Sequence, residues 1–120
     1  MAWNGHDTSV SDASKDALTG ALSRHTLDTA LYQALEQSRF EQSPVALWLV
    51  DVDYLKLMND AFGHRVGDGV LVTIADVLRA HLGEADELFR YGGDEFVVLL
   101  PHTSAEDAYA RAVAMLRSVQ

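Results

Sequence analysis

The 120 residues predict an α/β domain of the α+β kind, and three features carry that reading. The run VALWLVDV, residues 45–52, is apolar at consecutive positions, the pattern of a strand covered on both faces in the middle of a sheet. Two shorter apolar stretches, 88–91 and 96–100, are joined by Gly-Gly-Asp-Glu and read as a hairpin. Around them apolar residues recur at intervals of three and four, the spacing of helices that each bury one face.

Each element follows in order. Residues 1–15 are polar, small and aperiodic and read as a flexible tail, with Trp3 an isolated exposed aromatic. Ser23 is placed to cap a first helix whose stripe is Leu27, Ala30, Leu31, Ala34 and Leu35, and Pro44 breaks the chain after it. Residues 53–68 read as a turn region after the strand. Asp68 then stands as the N-cap of a helix reaching Leu82, with Val70, Leu71, Ile74, Val77 and Leu78 on one side. The hairpin is expected to close through a primed turn with positive φ at glycine, and Pro101 stops its second strand. Ser104 caps a third helix with Ala108, Ala112, Met115, Leu116 and Val119 inward. The resulting βαββα series is that of split βαβ, ferredoxin-like folds, which call for one more strand than residues up to Gln120 supply.

Composition narrows the function. The chain is one domain, and 48% hydrophobic residues suffice for a core. A net charge of -9 argues against a nucleic-acid backbone or an anionic membrane as the main partner. It does not exclude a nucleotide, because a divalent cation reverses the local sign. With no cysteine, disulfides and thiolate metal sites are excluded. The longest apolar runs fall far short of a membrane span, and MAWNGHDTSV has neither the basic region nor the apolar run of a signal peptide. A cytoplasmic chain is expected.

The acids are the chemical signal. Asp51 and Asp53 lie at the carboxyl end of the presumed central strand and share a face while strand geometry lasts. Asp94 and Glu95 sit at the hairpin tip. If the hairpin pairs beside that strand, up to four carboxylates converge, which is unfavourable unless they share a cation. Hard oxygen ligands suit Mg²⁺ or Mn²⁺, with phosphate oxygens completing the shell, and the implied chemistry is metal-assisted phosphoryl or nucleotidyl transfer. Each residue alone has a plainer reading. Asp-Val-Asp is a solvated turn, Lys56 a solvated cation, Asn59 a local cap, His64 a surface histidine and Asp68 an N-cap.

Taken together the motifs resemble the GGDEF family of diguanylate cyclases. DALTGALSRH (16–25) is similar to the family's D-x-L-T-G-L-x-N-R-R. DVDYLKLMNDAFGHRVGD (51–68) is similar to D-x-D-x-F-K-x-x-N-D-x-x-G-H-x-x-G-D, and RYGGDEFVVLLP (90–101) carries the signature whole. The resemblance covers residues 16–120 and implies a fold like the polymerase palm and the adenylyl cyclase catalytic domain. The implied reaction condenses two GTP into cyclic di-GMP and pyrophosphate, with two Mg²⁺ or Mn²⁺ ions per half-site and two domains facing each other as a homodimer. The implied metal ligands are Asp51, the carbonyl of Val52, Asp94 and Glu95, with Glu95 also activating the attacking 3′-hydroxyl. By the same resemblance Asn59 and Asp68 bond the guanine edge, with Leu71 against the base and His64 nearby. Lys56 and the Leu55 backbone lie by the phosphates, and Gly92 and Gly93 let the backbone approach them.

Three kinds of departure bear on this. Ala21, Ser23, His25 and Leu55 stand where the family usually has Leu, Asn, Arg and Phe. In place of the inhibitory R-x-x-D the chain has GEAD (83–86), which keeps Asp86 alone and predicts no tight cyclic di-GMP there. The family's final strands and its basic helix have no counterpart in the 120 residues, so impaired activity is expected of a C-terminally truncated domain. The rival expectation is a module that binds GTP without turnover. Strand 45–52 would then be a bare apolar edge, inviting association through that edge or by exchange of elements.

Overall fold

The computed structural model describes residues 14–118, so Trp3, Val119 and most of the expected tail lie outside the described residues. The elements are β1 (Leu22–Ser23), α1 (Arg24–Glu41), β2 (Val45–Asp51), α2 (Leu55–Phe62), α3 (His64–Ala80), β3 (Glu87–Gly92), β4 (Glu95–Pro101) and α4 (Ala105–Ser118). The four strands form one sheet in the order β1-β3-β4-β2, with β1 parallel to β3 and the other pairs antiparallel.

Side-chain alternation sorts the core into two layers. Phe89, Val97 and Leu99 face α1 and its buried Leu27. Trp48, Leu88, Phe96, Val98 and Leu100 face the other helices, meeting Leu71, Ala75 and Leu78 of α3 and Ala108 and Met115 of α4. Trp48 also donates its indole N–H to the Ala108 carbonyl at 3.0 Å, so its polar atom is satisfied inside the core.

Several expectations are corrected. Residues 53–68 are not a turn: they hold all of α2 and the first turn of α3, separated at Gly63 with φ 92°. Eight residues are too few for a clear helical period, and Asp68, inside α3, caps nothing. Strand β1 is too short to show any pattern. Ser14 and Lys15, assigned to the tail, are tied in: the Ser14 carbonyl accepts from the Ser23 N–H at 2.6 Å, and Lys15 bridges Leu22. Ser23 precedes α1 but its hydroxyl bonds His25 Nδ1 at 2.9 Å and does not cap the helix. Leu35 and Leu116, read as inward, are exposed. The Ser104 cap is as expected, accepting from the Asp107 N–H at 3.1 Å.

The largest correction concerns β2. It is an edge strand of the described sheet, covered on one face only, and Leu49 is 81% exposed on the other. Consecutive apolar residues signal two apolar faces, not two covered ones. The edge position itself agrees with the expectation of a bare apolar margin at 45–52.

Candidate active site

The β2–β4 ladder runs in register from Val45 opposite Pro101 to Asp51 opposite Glu95. Counting by twos, Asp51 shares the α1 face with Leu47 and Leu49, and Glu95 shares it with Val97 and Leu99. Cross-strand partners of this kind hold their Cβ atoms about 5 Å apart. One step further the Val52 N–H donates to the Asp94 carbonyl at 2.9 Å, which fixes the end of the strand against the hairpin tip. The buried Val52 side chain pins that backbone into the core. Asp51, Asp94 and Glu95 are all exposed.

The expected cluster of four carboxylates does not form. Among the described residues no group of three or more His, Asp or Glu side chains is close enough to hold a metal ion. The strand ends at Asp51, and Tyr54 adopts φ 65°, so Asp53 leaves the strand face. What remains is a facing acid pair with Val52 and Asp94 joined through the backbone beside it. These are hard oxygen donors, and they fit Mg²⁺ or Mn²⁺ as a partial set that a nucleotide's phosphate oxygens would complete.

The signature turn is built differently from a primed hairpin. Neither Gly92 nor Gly93 has the left-handed φ such a turn requires. Gly92 serves close approach instead, since a Cβ there would fall 2.6 Å from Glu95 Oε1. A shift in register between Arg90 and Gly92 bends the strand at this point. Arg90 holds the turn: its Nε donates to the Gly92 carbonyl at 3.3 Å and its Nη2 to the Gly93 carbonyl at 2.8 Å. Its Nη1 pairs with both oxygens of Asp16 at 3.2 and 3.3 Å. Asp16 is fixed in turn by the Thr19 N–H and hydroxyl at 2.9 and 2.7 Å. Burial alone would raise the Asp16 pKa, but the Thr19 hydrogen bonds and Arg90 outweigh it and hold it below the usual carboxylate value. On the α1 side Arg24 lies over the Tyr91 ring, 4.6 Å from its centroid. Two arginines, Arg90 and Arg24, therefore lie at the signature turn.

The third group of predicted residues lies on α2 and α3. Leu55, Gly67, Leu71, Ala75 and Leu78 are buried, the last four forming the inward line of α3. Asn59, one turn after Leu55, meets that line at Gly67, where its Oδ1 is buried without a hydrogen-bond partner. Asp68, His64 and Lys56 are exposed around it. Leu71 lies in the core, beneath this face rather than on it.

This geometry has counterparts of known kind. The profile of the diguanylate cyclase GGDEF domain matches residues 13–120. The chain belongs to the GGDEF family. The GGDEF domain here is 45% identical over 91 residues to diguanylate cyclase DgcP of Pseudomonas aeruginosa, covering 76% of this chain and 14% of that protein. It is 38% identical over 105 residues to the response regulator PleD of Caulobacter vibrioides, covering 88% and 23%. Among solved structures it resembles the GGDEF domain of DgcB from Caulobacter crescentus in complex with c-di-GMP, with TM-score 0.82, 28% identity, and coverage of 86% of this chain and 60% of that one. The chain thus spans less than a quarter of the length of either curated relative. No described helix is long and apolar enough to cross a membrane.

In this GGDEF domain Asp86 has a structural task. Asp86 Oδ2 accepts from the Gly83 N–H at 2.8 Å and from Arg111 at 2.7 Å, and its side chain is 7% exposed. Arg111 also lies near the Trp48 ring and donates to the His81 carbonyl at 3.3 Å, so Asp86 ties the loop before β3 to α4. Asp86→Ala is expected to destabilise the fold by about 1–2 kcal/mol, read from denaturant midpoints. An unchanged midpoint would show the link to be inert.

Asp16, Arg24, Arg90 and Gly67 were not singled out by the sequence. Arg90 beside the signature and Asp16 opening the first motif were the available signals, but their pairing spans 74 positions. No local pattern reports it.

Proposed function

We propose that this domain takes part in condensing two GTP into cyclic di-GMP. The observation that carries the reading is the facing of Asp51 and Glu95 at the strand end that the Val52–Asp94 hydrogen bond closes. In the reaction the 3′-oxygen of one GTP forms a bond to the α-phosphorus of the other and breaks the bond to the bridging oxygen. Pyrophosphate leaves, and a second such step closes the ring.

Asp51, Asp94, Glu95 and the Val52 carbonyl would hold Mg²⁺ or Mn²⁺. The ions, when bound, neutralise charge gathering on the phosphates and polarise the α-phosphoryl group. Glu95 takes the proton from the attacking hydroxyl. Gly92 and Gly93 leave the backbone open to the phosphates, with Lys56 and the start of α2 beside them. Asn59 and Asp68 take the guanine edge, where Asp68 accepts from N–H groups that adenine lacks. Because one domain carries one such site, turnover needs two domains facing each other, at least transiently.

The test is GTP turnover by this chain with Mg²⁺ and with Mn²⁺, the product resolved by chromatography. Cyclic di-GMP whose rate rises with the square of protein concentration at low occupancy supports the proposal. GTP bound without any dinucleotide would favour the rival reading, a binding module.

A further inference from the structure

Resting on the reading of the α2–α3 face as the purine seat, we infer that Gly67 is a positioning residue for base discrimination, acting through Asn59. A Cβ at residue 67 would lie 1.6 Å from Asn59 Oδ1, 2.7 Å from its Cγ and 3.2 Å from its Nδ2. The three nearest atoms all belong to one amide, at the end of a side chain that can rotate. The space left by the missing side chain is therefore the seat of the Asn59 amide.

That seat has an energetic consequence. Asn59 Oδ1 is buried there with no hydrogen-bond partner. An acceptor in that state gives up no existing bond when a donor arrives. In the inferred bound state the amide turns about its χ2 bond and this oxygen serves the base together with Asp68, the next residue after Gly67. Guanine offers a ring N–H and a 2-amino group on one edge, a donor pair that two neighbouring acceptors can take. With a methyl group at 67 the amide is driven off its seat and Oδ1 is hydrated. Binding must then strip that water and reorder the side chain, and the preference for a 2-amino purine falls. Because the displaced atoms are a side-chain end and not backbone, the loss falls on binding more than on folding.

The experiment measures equilibrium binding of GDP and IDP, which cannot be cyclised, to the full chain by calorimetry. IDP lacks the 2-amino group. Wild type should prefer GDP, Gly67→Ala should lower that preference about 10-fold, and Asn59→Ala should do the same. The double variant should lose no more than Asn59→Ala alone, since Gly67 acts only through the amide. An undiminished preference in Gly67→Ala, or losses that multiply in the double variant, would overturn the inference. If Gly67→Ala fails to fold, refolding of the double variant, where the methyl has room, supports it, and failure of both refutes it. A wild type indifferent between GDP and IDP is a separate result that removes the purine reading itself.

Discussion

Asp51→Asn is expected to lower cyclic di-GMP formation at least about 100-fold while leaving the fold as stable or slightly more so. The two effects have opposite signs for one reason. Asp51 and Glu95 face each other across the last pair of the β2–β4 ladder, where like charges repel. Neutralising one relieves about 0.2–1 kcal/mol of that repulsion. The same change halves the facing carboxylate pair that would hold the divalent ion. A residue kept only for the fold would move stability and activity together. Turnover and thermal melting of the one variant check both arms, and activity that survives the substitution contradicts the assigned role.

Arg90→Ala is expected to be the most damaging change away from the facing acid pair. Its guanidinium joins three things: the Gly92 carbonyl, the Gly93 carbonyl and Asp16. Both partners of the ion pair are about one-fifth exposed. Removing the arginine leaves a largely buried carboxylate without its cation and takes the guanidinium from two turn carbonyls, a loss of about 2–3 kcal/mol. The signature turn loosens with it, so activity should fall further than stability alone explains.

The same pair sets an acid limit. The folded Asp16 pKa is depressed below 3.8, so its contribution is fully present above that value and is lost as pH falls through the folded pKa. In Asp16→Asn this part of the acid transition should be absent, and the stabilities of variant and wild type should converge only once pH falls below the folded Asp16 pKa. Denaturant unfolding between pH 2 and 6 measures it. Parallel curves for the two proteins would show that Asp16 does not couple to acid stability.

How much of this was legible in the sequence depended on range. α1, β2, the hairpin and α4 were readable because their patterns span enough residues to show a period. The boundary at Gly63 was not, since α2 is too short and Asp68 mimics a cap. The motifs also named Asp51, Asp94, Glu95, Asn59 and Asp68 as candidate site residues, and of these the sheet sets Asp51 opposite Glu95. What the sequence hid was exposure and long-range pairing. Leu49 reads the same whether its face is covered or open, and nothing near Arg90 announces Asp16. Asp53 was placed in the acid cluster because strand geometry was extended past Asp51, where the strand ends.

The central claim is that the Asp51–Glu95 end of the sheet holds a divalent ion that carries a nucleoside triphosphate. Electron paramagnetic resonance of Mn²⁺ titrated into the chain with GTP tests it most directly. Wild type should immobilise Mn²⁺ only when GTP is present, and Asp51→Asn should lose most of that bound signal. Equal Mn²⁺ binding by the two proteins, or none by the wild type with GTP in excess, would contradict it.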